Sequence, residues 1–338
     1  MNRVPRESKM SNNSDMQADG AKKGKKIKLS QEINERKGHI VHLTHNDLDA
    51  VGCDAVHRLK YEDVVTKFSS VSKFAKNLDD IARMAGKGDI LSISDIGYNS
   101  ACARSLETAK ENGWVVEWRD HHRWTDDEIN EITPLVKYLR VDTSVCATCI
   151  VRSDLLPEDA HSGAIAKIVC DYDLWKHEVP DSKVLGEVCT KRENLECVRD
   201  CFLDGKLIND EIREIYRGIE EEKNAAIKKS IKHTKIMEGR YKIAFAPLYG
   251  YPSETAHAIR DMMGTDIEVI VAENGKFSVR SVPPVSHLLA KKFNGGGHPP
   301  AAGGTFKFSL GDKLSFMILK KTKHYDKFFE AAEKVKEE

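Results

Sequence analysis

Trp118-Arg119-Asp120-His121-His122-Arg123-Trp124 is the stretch whose reading decides the fold. It follows Trp114-Val115-Val116, an apolar run of the kind shown by strands buried on both faces of a parallel sheet. Two adjacent histidines behind an aspartate, just past a strand, stand where open α/β sheets place their ligand sites. A solvated strand-to-helix turn would also tolerate these residues. The choice therefore depends on what the other strand ends carry.

Upstream, Ile40-Val41-His42-Leu43 reads as a strand followed by the loop Thr44-His45-Asn46-Asp47-Leu48-Asp49. A helix is expected from Ala50 through Lys60, a second strand over Val64–Phe68 and a helix from Phe74 to Met84. Gly88–Ile93 reads as a third strand ending at Asp95. Cys102 to Lys110 reads as a helix that Asn112-Gly113 closes. This alternation predicts right-handed βαβ units and a parallel sheet. Val141–Thr148 reads as a small-residue helix start with N–H groups free for an anion. A helix from Ala164 to Cys170 then leads into Asp171-Tyr172-Asp173-Leu174-Trp175.

Downstream, Lys206 to Lys232 has helical spacing and no proline, and reads as one long connecting helix. A second domain opens near Tyr241 with the strand Lys242–Ala246 and a helix over Glu254–Met263. Asn274-Gly275 predicts a hairpin between Ile267–Val271 and Phe277–Val282. A helix over Val285–Phe293 leads to Gly295-Gly296-Gly297-His298. The expected fold is α/β, a parallel-sheet domain joined by a long helical connector to a smaller α/β domain. The boundaries expected are a disordered basic tail over 1–37, the larger domain over 38–190, the connector over 191–239, the smaller domain over 240–310 and a peripheral helical extension over 311–338.

Composition limits what such a chain can be. With 338 residues it can hold two ordinary domains. No apolar run approaches the ~20 residues of a membrane span, and the N-terminus has no apolar signal core. Eight cysteines without an export signal point to reduced thiols in a cytoplasmic protein. Lys and Arg number 53, as do Asp and Glu, so bulk electrostatic binding of long nucleic acid is disfavoured. The basic tail is a solvated extension that could hold RNA loosely.

The polar groups at strand ends are His45, Asp47 and Asp49, then Asp95, then Asp120, His121 and His122, with Asp171 and Asp173 at a later helix end. In a parallel sheet these ends share one edge, where packed carboxylates repel unless cations sit between them. Mixed imidazole and carboxylate ligands suit Mn²⁺ first, with Mg²⁺ or Co²⁺ as alternatives. Two such ions about 3.5–4 Å apart activate a water and clamp phosphoryl oxygens. Cys146, Cys149, Cys197 and Cys201 could form a zinc site, but their segments lack compact knuckles and read better as buried thiols. His42, His57, His177 and His257 read as ordinary residues.

Five motifs match a known family. They are His45–Gly52, Ser94-Asp95-Ile96-Gly97, Asp120-His121-His122, Asp171-Tyr172-Asp173 and Gly295–Gly303. In this order they resemble the DHH/DHHA1 phosphoesterase superfamily, most closely its oligoribonuclease (nano-RNase) and cyclic-nucleotide phosphodiesterase branch. The resemblance implies that Asp47, Asp49, Asp95, His121 and Asp173 bind two divalent ions, with Asp95 bridging. His45 joins them or orients the loop, because the histidine that some relatives carry four residues before the first aspartate is Leu43 here. His122 would contact the reacting phosphate, Asp120 would fix a histidine tautomer, and Asp171 would be a structural acid. Arg280, Gly295, Gly296, Gly297 and His298 would hold substrate in the smaller domain.

The function implied is Mn-dependent exonuclease-like hydrolysis of short RNA to mononucleotides through a water activated between two metals. The alternatives are a 3′-phosphoadenosine 5′-phosphate phosphatase, a cyclic mono- or dinucleotide phosphodiesterase, an inorganic pyrophosphatase and, in another class, a non-catalytic RNA-binding module. The partners implied are short RNA or a small phosphorylated nucleotide, without a membrane. Self-association, for instance as a homodimer, stays open.

Overall fold

A computed structural model describes residues 29–335. The chain forms two compact units, one of residues up to His45 with Val56–Glu158, the other of Asn46–Ala55 with everything from Asp159 onward.

The first unit contains α1 (Leu29–Asn34), β1 (Ile40–Thr44), the second half of α2 (Leu48–Lys60), β2 (Val65–Phe68), α3 (Val71–Ala82), β3 (Ile90–Ser94), α4 (Cys102–Glu111), β4 (Val115–Asp120), α5 (Asp126–Ile132), β5 (Tyr138–Val141) and α6 (Ala147–Leu155). Its five strands are all parallel, in the order β2-β1-β3-β4-β5. Val41, Leu43, Leu91, Ile93, Val116 and Trp118 lie in its core, as uninterrupted apolar strands require. Phe74, Leu78 and Ile81 bury one face of α3 at helical spacing against the same cluster. Residues 1–28 of the expected tail lie outside the described residues. Residues 29–34, also assigned to it, instead form α1, because Ile33 is buried in this core.

The second unit contains α7 (Ala160–Asp173), α8 (Ser182–Cys189), α9 (Leu195–Leu203), α10 (Asp210–Lys232), β6 (Lys235–Glu238), β7 (Lys242–Pro247), α11 (Pro252–Met263), β8 (Ile267–Val271), β9 (Lys276–Ser281), α12 (Ser286–Lys291), β10 (Gly296–His298), β11 (Ala301–Thr305), α13 (Leu310–Leu319) and α14 (His324–Glu333). Its six-stranded sheet is mixed, in the order β10-β11-β9-β8-β7-β6, and only β7–β8 is parallel. The Asn274-Gly275 turn joins β8 to β9 as expected, with Gly275 at φ +86°. The C-terminal segment is two helices and not a peripheral support: Phe316, Tyr325, Phe328, Ala332 and Val335 complete the apolar core beneath the sheet.

Cys53, Cys102, Cys149, Cys189, Cys197 and Cys201 are not in disulfides, but Cys146 and Cys170 are disulfide-bonded, against the expectation of fully reduced cysteines. Burial pushes the Cys102 thiol up to about 12 and the Cys201 thiol up to about 11. Neither Cys197 nor Cys201 belongs to a cluster of possible metal ligands among the described residues.

Candidate active site at the sheet edge

The register of the first sheet aligns the ends of its strands. Thr44 pairs with Ser94, Ser94 with Arg119, and Asp120 with Val141. The residues that follow β1, β3 and β4 therefore leave along one carboxyl edge: His45, Asp95 and His121. Asp95 is buried and left-handed, with φ +52°. Among non-glycine residues Asp and Asn tolerate that conformation best, so strain and residue type agree on a specialised position. Its N–H donates to the Arg119 carbonyl at 3.1 Å, pinning the turn to the neighbouring strand.

His121 Nε2 lies 3.4 Å from Asp95 Oδ1. Ligand atoms of Asp95, His121 and His122 all lie within 4.8 Å of one another. One carboxylate and two imidazoles at that spacing suit a divalent transition metal by geometry and donor type. Asp120 is fully buried, and both its oxygens are engaged: Oδ1 with His122 Nδ1 at 2.8 Å, Oδ2 accepting from Trp124 Nε1 at 2.7 Å. A buried carboxylate facing Nδ1 fixes that nitrogen as the donor and leaves His122 Nε2 for a ligand. His122 keeps its side chain about half exposed, as a substrate-facing group must.

Aromatic packing holds the turn. Trp118 Nε1 donates to the Ile96 carbonyl at 3.0 Å, and Trp124 meets the Trp118 ring edge-on at 4.9 Å. A Cβ at Gly97 would approach His122 Cβ to 3.3 Å, so a side chain there would press on the imidazole. Behind this edge His42 stacks on His57 at 4.1 Å, and their Nε2 atoms bond Ser94 Oγ and Ser92 Oγ at 2.8 Å each. These are buried histidines with partners in the sheet, as the ordinary reading of both expected.

The second unit holds the remaining acids. Asp47 precedes α2 and its Oδ1 accepts the Ala50 N–H at 3.1 Å, the contact of a helix N-cap. Asp49 is buried in the first turn, and Asp173 ends α7. Burial, then the charges of Glu187, Cys189, Asp47 and Asp173, push the Tyr172 phenol up, so both aspartates act on one ring. Asp171 is differently occupied: it accepts from the Glu178 amide at 2.9 Å and the Ser182 hydroxyl at 2.5 Å. Burial opposes ionisation there, but the Ser182 hydroxyl and the Glu178 and Val179 amides hold the carboxyl below its ordinary range. A structural acid behaves this way. Trp175, two residues beyond Asp173, is 77% exposed with φ +55°.

In the glycine hairpin two of the three glycines meet a neighbouring strand. A Cβ on Gly295 would lie 1.9 Å from the Gly303 carbonyl oxygen, and one on Gly297 would lie 2.6 Å from Ala302 Cα. Both are required by close approach of β10 to β11, and only Gly296 faces open space. His298 pairs with Ala301, and Ala301 with Arg280, so the two cationic candidates sit on strands flanking β11. Arg280 donates to Ser253 Oγ at 2.9 Å, and His298 is exposed. A hollow of about 330 Å³ lies beside this hairpin, lined by Ile270, Lys276, Ser278, Gly295, Gly303 and Gly304.

In motif order, parallel sheet and clustered edge residues this chain resembles the DHH/DHHA1 phosphoesterase superfamily. Among characterised proteins it is similar to oligoribonuclease NrnB of Bacillus subtilis, 25% identical over 296 residues that cover 78% of this chain and 72% of the relative. Among solved structures it is similar to the pGpG-specific phosphodiesterase PggH of Vibrio cholerae (12% identity, TM-score 0.49, 83% of this chain and 98% of that one). A DHH domain from a member of the s1p family of ribosomal proteins gives 14% identity and a TM-score of 0.47 over 91% of this chain and 89% of that one. No family model matches the chain.

Proposed function

We propose that the chain is a divalent-metal-dependent phosphodiesterase that cuts short RNA oligonucleotides to mononucleotides. The observation that carries the reading is the cluster of Asp95, His121 and His122 at the carboxyl edge of a parallel sheet, with Asp120 fixing the His122 ring. The similarity to an enzyme named oligoribonuclease supports the choice of substrate class.

In this reading Asp95 and His121, with His45, Asp47, Asp49 and Asp173, would hold two divalent ions, Mn²⁺ first among them. Ions bound there would supply Lewis acidity and acidify a water at neutral pH. The residues of the chain do the rest. Asp120 accepts from Nδ1–H of His122; with Nε2 protonated as well, Nε2–H donates to the phosphoryl oxygens and stabilises their charge as it grows. Arg280 and His298 bind a phosphate or terminal nucleotide away from the scissile bond. That binding energy serves to position the reacting group.

A substrate panel tests the proposal: dinucleotide, longer RNA, 3′-phosphoadenosine 5′-phosphate, cyclic nucleotides and pyrophosphate, each with Mn²⁺. The expected result is the highest kcat/KM on the dinucleotide, abolished by EDTA and restored by Mn²⁺. A higher value on any other member reassigns the substrate. No hydrolysis of any of them, nor of a bis-aryl phosphodiester, would leave a binding module.

A further inference from the structure

Helix α13 is built inside out for a water-facing helix. Its one buried side chain, Phe316, packs into the core beneath the second sheet. On the other side Leu310, Leu314, Met317 and Ile318 are 86, 60, 53 and 68% exposed. At about 100° per residue these four fall in a single arc roughly opposite Phe316. Leu319, 61% exposed, lies outside that arc, at the end of the helix. Five of the eleven exposed large hydrophobics among the described residues thus lie on one ten-residue helix. Soluble surfaces scatter such residues singly.

Charge around the ridge selects what covers it. Residues 307–323 carry five lysines and one acid, Asp312. Asp312 is spent on capping the helix through Ser309 and on Lys323, 3.4 Å away. Lys307, Lys313 and Lys321 are exposed around the ridge. A second copy packed ridge to ridge would set these lysines against their own kind. The chain's first thirty residues, with eight basic and three acidic side chains, have the same sign and are repelled as well. An anionic occupant is required. The ridge has no aromatic residue and no arginine, the types that protein interfaces concentrate, and it is rimmed by lysine, the type that they deplete. Aliphatic side chains flanked by lysines that can reach upward to headgroups are what an in-plane membrane helix presents.

From this we infer that α13 seats the second unit on the surface of an anionic lipid bilayer. Among the described residues no helix is long and apolar enough to cross a membrane, and none is needed for a helix that lies in the interface.

The test is co-sedimentation of the full chain with vesicles of phosphatidylcholine containing phosphatidylglycerol, against phosphatidylcholine alone. Binding is expected to the first and not the second, weakening with added salt. Leu314→Glu with Ile318→Glu should remove it while circular dichroism and thermal unfolding stay as in the parent. Lys313→Gln with Lys321→Gln should weaken it roughly 25- to 30-fold, about fivefold per lysine near a charged surface. The lysine pair decides the matter if the glutamate pair does not fold. Failure of the parent chain to bind anionic vesicles overturns the inference, and would leave an acidic protein as the occupant. Binding that survives both variants also overturns it, since the contact would lie elsewhere. So does a dimer that dissolves in the glutamate variant without any vesicle binding, which would make the ridge a seam between copies.

Discussion

The two sheets make sites in opposite ways. In the first unit every strand runs the same direction, so register alone brings His45, Asp95 and His121 to one edge, and the turns between them are tied by Asp95 N–H to Arg119 and by Asp120 to His122 and Trp124. In the second unit every neighbouring pair but β7–β8 is antiparallel, and Arg280 and His298 are presented from strands that flank β11. Parallel topology concentrates charge and needs a cation to make it tolerable. An antiparallel hairpin spreads charge over a face and suits an extended or anionic ligand. The difference teaches that groups at the first edge should govern whether the reaction runs at all, and groups on the second face which substrate it runs on.

The largest expected effect tests the first half of that statement. Asp95→Asn keeps a side chain that tolerates φ +52° but removes the charge. Hydrolysis of both a dinucleotide and a bis-aryl phosphodiester should fall by about three orders of magnitude or more. Asp95→Ala should do the same with some added strain. Activity within tenfold of the parent on either substrate would remove Asp95 from the metal core.

Next comes Asp120→Asn. It leaves the fold of the turn but loses the carboxylate that fixes Nδ1–H of His122. A drop of roughly 10–100-fold in kcat is expected on both substrates, as for other groups that orient a functional histidine. If kcat held and only KM rose, His122 would be a substrate contact and not a group acting on the reacting phosphate.

Arg280→Ala tests the second half. A charge-assisted, partly buried contact is worth roughly 1.5–3 kcal/mol, or about one to two decades in kcat/KM. The loss should appear on the dinucleotide and be absent on the small aryl phosphodiester, which offers no second nucleotide for Arg280 to hold. Equal loss on both would break the proposed division of labour between the two sheets.

Legibility followed the same division. The βαβ alternation and strands β1, β3 and β4 were readable because strands buried on both faces leave long apolar runs. β5 was missed: Tyr138–Val141 is a short edge strand with no residue fully buried, preceded by Pro134, and its composition is that of a loop. α7 starts at Ala160, four residues before the expected helix, because the Asp159 cap on Ser162 was not read as a start signal. The C-terminal pair of helices was taken for a surface extension because Lys and Glu dominate it, although Phe316 and Phe328 were there to anchor it. Within the glycine run, strand β11 requires Gly295 and Gly297 while Gly296 faces open space, a division that three identical residues in a row do not carry.

The smallest expected effect concerns His45, and it sharpens where the edge cluster ends. His45 leaves β1 half-buried, just past the Thr44–Ser94 pair, yet it sits two residues before Asp47 and four before Asp49, so a role in shaping that loop fits its position as well as a role in holding an ion. The two roles separate in a metal titration. If His45 is a ligand, His45→Ala should raise the Mn²⁺ concentration for half-maximal activity by roughly 10–100-fold while activity at saturating Mn²⁺ stays near the parent's. If it shapes the loop, the half-saturation point should hold and kcat should fall slightly, because Asp47 caps α2 through the Ala50 N–H and would keep the helix start in place. His45→Gln distinguishes the cases further: an amide oxygen can still fix a loop through hydrogen bonds but is a weaker ligand for a transition metal than an imidazole. A Gln variant that matches the parent in both Mn²⁺ dependence and kcat would place His45 outside the metal set and leave the edge cluster defined by Asp95 and His121.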